Sequence, residues 1–175
     1  MTQRKETILN TALRLFAENG IHNTSTKIIS KEAKVSEGLI FKHFTNKEGL
    51  LMEVITNCED KINALLDRIE LMEDPKSALK QILNLPFELD PNNSIEWKLV
   101  LQIRKTNNNH SSIENRLKGL LIKVFNQLHY KRPELETELV LIQFFGILDR
   151  LFSHSLECHS ELNKLLLNKY HLNSE

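Results

Sequence analysis

A chain of 175 residues, 41% hydrophobic and 26% charged, has the composition of one ordinary folded domain or two small helical units, neither disordered nor fibrous. Its two cysteines are too few for a secreted disulfide framework. Residues 1–7 are polar, so no secretory leader is expected, and apolar runs such as Leu139 to Ile142 are far too short for a membrane span. The zero net charge hides an uneven spread: residues 1–50 carry eight Lys/Arg against five Asp/Glu, the remainder 15 against 18. A basic head on an acidic body is what a polyanion partner would select, although an imbalance of this size also arises by chance.

Apolar residues recur at helical spacing almost throughout, and no stretch alternates long enough for a strand, so the expected class is all-α with about nine helices. The first helix covers residues 2–19. Ile8, Leu9, Ala12, Leu13 and Phe16 form its apolar stripe, and Gly20 stops it. A short second helix follows Ser25, a good N-cap, and buries Ile29 and Ala33. A third starts at Ser36 and places Ile40 and Phe44 one turn apart. Asn46 caps a long fourth helix. Pro75 opens a fifth through residue 85, with a break over residues 86–91. Further helices are expected over residues 94–105, 111–129, 133–156 and 160–170.

The second and third helices have helix-turn-helix spacing. Helices this short are unstable alone, so the first helix must prop them. Winding the third at 100° per residue puts Ile40 and Phe44 on one side. Gly38, Leu39, Lys42 and His43 fall on the other arc, with Glu37 at the N-terminus. One side closes a three-helix core, and the other is free to read something.

The string Ile8-Leu9-x-x-Ala12-Leu13-x-x-Phe16-x-x-x-Gly20, then Thr24-Ser25, Ile29, Ala33 and Val35-Ser36-x-Gly38, ends in Ile40-Phe41-x-His43-Phe44-x-x-Lys47-x-x-Leu50. This resembles the DNA-binding head of the TetR family of bacterial transcription regulators. The resemblance implies a DNA-binding domain over residues 1–47 and a helical ligand-binding and dimerisation domain over 48–175. It also implies a homodimer on a pseudo-palindromic double-stranded operator, a small-molecule effector, and a cytoplasmic regulator, expected to be a repressor. Position by position, Ser25 would cap the second helix and touch phosphate, and Lys27 would reach a base edge or phosphate. Glu37, Gly38, Leu39 and Lys42 would face bases, while Phe41, His43 and Lys47 would grip backbone. The family favours Tyr at Phe41 and Gly at Lys34, where a left-handed lysine would cost on the order of 1 kcal/mol.

Taken alone, Lys27, Lys42 and Lys47 are ordinary solvated lysines. Glu37 has two readings, a first-turn acid stabilising the helix dipole or an acceptor for a cytosine amine. His154, Cys158 and His159 are the one cluster with metal-like chemistry, but no second ligand set accompanies them, and no metal or cofactor is expected. There is no HExxH, phosphate loop or nucleophile elbow, so no enzyme is expected. In the body, Phe87, Trp97, Gln102, Phe125, Gln143 and Phe144 are candidates to line an effector cavity, and the aromatics among them are equally candidates for core. The helix beginning at Pro133 is apolar on several faces, which favours a subunit interface there. The alternative from another class is an all-helical small-molecule or partner-binding protein without DNA binding.

Overall fold

The computed structural model describes residues 2–90, 94–106, 112–153 and 159–172, with the backbone alone at Thr106 and His159. The described residues form nine helices and no strand: α1 (Gln3–Asn19), α2 (Thr26–Glu32), α3 (Glu37–Phe44), α4 (Lys47–Glu70), α5 (Pro75–Glu88), α6 (Ile95–Thr106), α7 (Ser112–Gln127), α8 (Pro133–Ser153) and α9 (His159–Lys169). Among them no helix is long and apolar enough to cross a membrane.

The helix starts are set by their caps. Ser25, Ser36 and Asn46 each accept from a backbone N–H three residues on, and Asp74 accepts from the N–H groups of Lys76 and Ser77. Gly20 closes α1 at φ 86°, donating to the carbonyl of Phe16. The buried hydroxyl of Thr24 then shares its proton between the carbonyls of Leu15 and Gly20, at 3.1 and 2.9 Å. Lys34 takes the left-handed turn at φ 55°.

Thr45 joins α3 to α4 at φ 66°, ψ −51°, with the Asn46 N–H bonded back to the Phe44 carbonyl at 2.7 Å. This is the rarer, strained γ-turn with positive φ, here on a β-branched residue. Gly49 makes the turn possible, since a Cβ there would lie 2.2 Å from the Phe44 carbonyl oxygen.

The sequence places a break at Pro86, but α5 continues through it to Glu88. Proline forfeits one helical hydrogen bond. Burial of Leu83, Leu85 and Pro86 in the body holds the last turn nonetheless.

Two apolar cores form. The head core holds Ile8, Ala12, Phe16, Ile29, Ile40 and Phe44, but it runs on into Leu50, Val54 and Cys58 of α4 and into Leu99 of α6. The body core joins α4 through α9 around Leu79, Ile82, Trp97, Ile113, Phe125 and Leu148. α6 therefore has two faces: Leu99 is fully buried in the head, while Trp97, Val100 and Leu101 belong to the body. A division at residue 47 falls on the first residue of α4, and the head core extends well beyond it.

Candidate nucleic-acid interface

α3 is eight residues long and held by one buried edge, Ile40 and Phe44. Gly38 and Lys42 lie on the opposite side and are exposed, as are Ser25, the cap of α2, and Lys27 in its first turn. Phe41 is 46% exposed and Ile28 on α2 is 43% exposed, so two large apolar side chains stand in solvent beside the lysines. Leu39 and His43 are only partly exposed. The sequence reading treats Leu39 as outward-facing, but it packs against the head core. At 100° from Ile40 around the helix it sits on a flank, not opposite the buried edge. His43 likewise lies on a flank, its ring 5.9 Å from that of Phe44.

The charges divide into committed and uncommitted groups. Lys5 pairs with Glu53 at 2.6 Å, and Arg14 bridges Glu18 and Glu32 at 3.2 and 3.3 Å. Lys47 donates to the carbonyl of Ile21 at 2.6 Å, tying the start of α4 to the loop after α1. Among the described residues the ammonium groups of Lys27, Lys34 and Lys42 take no partner. Glu37 accepts at Oε1 from the Thr26 hydroxyl at 2.6 Å, linking the first turns of α2 and α3. Thr26 is the residue that sequence reasoning passed over, because no spacing rule places the first residue of one helix opposite the first residue of the next. A Cβ on Gly38 would meet no atom within 4 Å. Nothing inside the fold requires glycine there. The bare backbone at this point is open to whatever approaches α3 from outside.

Of the six residues expected to line one body cavity, Trp97, Gln143 and Phe144 come together, whereas Gln102 and Phe125 lie elsewhere. Gln102 faces the head and donates to the carbonyl of Ala17 at 2.8 Å. Phe125 is fully buried in an aromatic cluster with Tyr130 and Tyr170, at 5.0 and 5.7 Å between ring centres. Trp97 and Phe144 pack together at 5.6 Å, and Phe87 is partly buried on α5. Gln143 and Phe144 meet Leu83, Pro86 and Leu166 around a space of about 10 Å³, and the Gln143 Oε1 there is buried with no hydrogen-bond partner among the described residues. The physical reason is packing. Helical spacing marks which residues turn inward, but the pairing of helices decides which of them meet. A larger open cleft of about 440 Å³ lies elsewhere, between α1 and α4, over Leu9, Leu13, Val54 and Cys58. Burial pushes the Cys58 thiol up to about 12. His154 and Cys158 lie outside the described residues, as does the side chain of His159.

Residues 8–54 match the family model described as bacterial regulatory proteins, tetR family. The uncharacterized HTH-type transcriptional regulator YuxN of Bacillus subtilis (strain 168) is 34% identical over 89 residues, covering 50% of this chain and 31% of YuxN. The HTH-type transcriptional regulator AcrR of Shigella flexneri is 37% identical over 83 residues, covering 46% of this chain and 39% of AcrR. The chain thus spans less than half the length of these curated relatives. The crystal structure of AibR in complex with isovaleryl coenzyme A and operator DNA has the same fold, with a TM-score of 0.79 at 19% identity over 95% of this chain and 97% of that one.

Proposed function

Because the chain belongs to the tetR family of bacterial regulatory proteins, we propose that it is a cytoplasmic, homodimeric transcription regulator, a repressor whose α3 enters the major groove of each operator half-site. The observation that carries this reading is the outward side of α2 and α3. Lys27, Gly38 and Lys42 are exposed, the two ammonium groups take no partner among the described residues, and the backbone at Gly38 is open. Cations supply salt-dependent phosphate affinity, and a missing Cβ lets the helix N-terminus approach the duplex closely. Lys42 has the reach to donate to guanine N7 or O6, and Ser25 sits at a helix start suited to backbone contact. Lys47, bonded to the Ile21 carbonyl, acts by holding the start of α4 to the loop after α1.

A body that binds a small molecule and weakens DNA binding completes the reading, in keeping with the likeness to AibR, a protein crystallised with both kinds of ligand. The space beside Gln143 and Phe144 is about 10 Å³, room for roughly one water. An effector seated there therefore selects an opened arrangement of α5, α8 and α9. By linkage, DNA then weakens the effector by the same factor.

The deciding experiment is duplex binding as a function of salt, with fragments selected from random DNA. Affinity should fall steeply with salt. Lys42→Ala should cost about 1–3 kcal/mol and relax one operator position, while Lys47→Ala should weaken all sequences alike. A chain that binds no duplex at low salt overturns the reading.

A further inference from the structure

Thr26 and Glu37 are the first residues of α2 and α3, and the Thr26 hydroxyl donates to Glu37 Oε1 at 2.6 Å. That length belongs to a charge-assisted O–H···O⁻ bond. The bond is not needed to start α3, because Ser36 already caps it by accepting from the Leu39 N–H. Nor does the helix dipole need it, since an acid in the first turn is favourable in any rotamer. What the bond does is fix the carboxylate. Oε1 is held by the neighbouring helix, and Oε2 takes no partner among the described residues. The clamped group stands in the first turn of α3, the end of a recognition helix whose residues meet base edges.

We propose that Thr26 positions Glu37 to read a cytosine amine in the major groove, at one position of each operator half-site. Thr26 is thereby a specificity determinant that acts through Glu37. The inference rests on the DNA-binding reading above and assigns one readout within it.

The chemistry leaves few choices. An ionised carboxylate only accepts. Guanine offers the acceptors N7 and O6 in the major groove, and thymine offers O4 and a methyl group. Only cytosine N4 and adenine N6 donate. The adenine amine lies between two acceptors that repel a carboxylate, its own N7 and the O4 of the paired thymine, whereas the cytosine amine has an acceptor on one side only, the O6 of its paired guanine. Phosphate oxygens repel Glu37 as well, so its carboxylate is unsuited to gripping backbone. Holding it in place before binding removes the side-chain ordering cost that a free glutamate would incur in the groove.

The test is selection of bound duplexes by the full chain, as wild type and as Glu37→Gln, Thr26→Val and Thr26→Ser. Titrations follow on the selected operator with single base pairs exchanged, at several salt concentrations. Wild type should enrich cytosine at one position per half-site, and exchanging that base pair should weaken binding about tenfold to a hundredfold. Glu37→Gln should move the preference there toward adenine, because an amide donates to N7 while accepting from N6. Thr26→Val should lower discrimination at that position several-fold, and Thr26→Ser should retain it. The salt slope should stay unchanged in all three, since no phosphate contact is altered.

An unchanged preference at every position in both Glu37→Gln and Thr26→Val overturns the assignment. So does a Thr26→Val protein that weakens all duplexes alike, as a bond merely bracing the turn would require. A wild type that selects no duplex defeats the DNA-binding reading itself, an outcome distinct from a good operator whose bases ignore Glu37.

Discussion

Gln102 on α6 donates to the backbone carbonyl of Ala17 on α1 at 2.8 Å, across 85 residues of sequence. The carbonyl lies near the C-terminus of α1, where the last turn leaves acceptors without helical partners. Leu99, one turn earlier on α6, is fully buried in the head core. Head and body are thus joined by apolar packing and a directional bond from the same helix, in addition to the continuous α4. Trp97, on the other face of α6, packs against Phe144 of α8. A displacement of α8 therefore reaches α1 through one rigid element.

Leu99→Ala should destabilise the chain by about 2–5 kcal/mol in urea unfolding, as expected for a fully buried leucine. Amide exchange in α1 should quicken with it, although residue 99 lies far from α1 in sequence. Gln102→Ala should cost less, about 0.5–1.5 kcal/mol, because one neutral hydrogen bond is lost. If Leu99→Ala left exchange in α1 unaltered, α6 would not be the joint.

Two glycines in the head separate folding from function. Gly49→Ala forces a Cβ to within 2.2 Å of the Phe44 carbonyl, so the α3–α4 turn must shift. The expected loss is about 1–3 kcal/mol of stability, with DNA affinity falling for every sequence. Gly38→Ala meets no atom within 4 Å and should stabilise the head by a few tenths of a kcal/mol to about 1 kcal/mol. Its DNA binding should nonetheless weaken. Thermal unfolding and duplex titration of the same two proteins check both outcomes.

Along α8, Leu135, Leu139 and Ile142 are 58%, 37% and 67% exposed and fall on one side of the helix, with the exposed Gly146 continuing the line. Leu165 of α9 is 65% exposed as well. An apolar stripe of this kind is stable in water when another surface covers it, and a second copy of the chain would place two such stripes against each other. Sedimentation at micromolar concentration should give a dimer for wild type and a monomer for Ile142→Asp. A monomeric wild type would refute the interface.

Cys58 is 1% exposed, and burial raises its thiol from an ordinary value of 9.0 to about 12. The folded chain holds this proton more tightly than the unfolded chain. Its contribution to stability is therefore complete below pH 9 and declines as pH rises toward 12, by at most about 1.4 kcal/mol per pH unit. Cys58→Ala should show a shallower alkaline loss than wild type, and native Cys58 should resist alkylation at pH 8 while the urea-unfolded chain reacts. Rapid alkylation of the native protein would contradict the burial.

Local chemistry decided much of this protein in advance. Caps at Ser25, Ser36 and Asn46, the stop at Gly20 and the apolar stripe of α1 act within a few residues, so the helices of the head and its three-helix arrangement are legible in the sequence. Lys27 and Lys42 are legible as outward for the same reason: a helix of known phase with one buried edge leaves only one opposite side. Contacts between helices are set by packing that no local spacing encodes. The tertiary structure alone decided that Leu39 leans into the core, that α5 survives Pro86, and that Gln102 faces α1 across the joint and not a body cavity. It alone set Thr26 against Glu37, because the angle between α2 and α3 determines which first-turn side chains meet, and that angle comes from burying Ile29, Ile40 and Phe44 beneath α1.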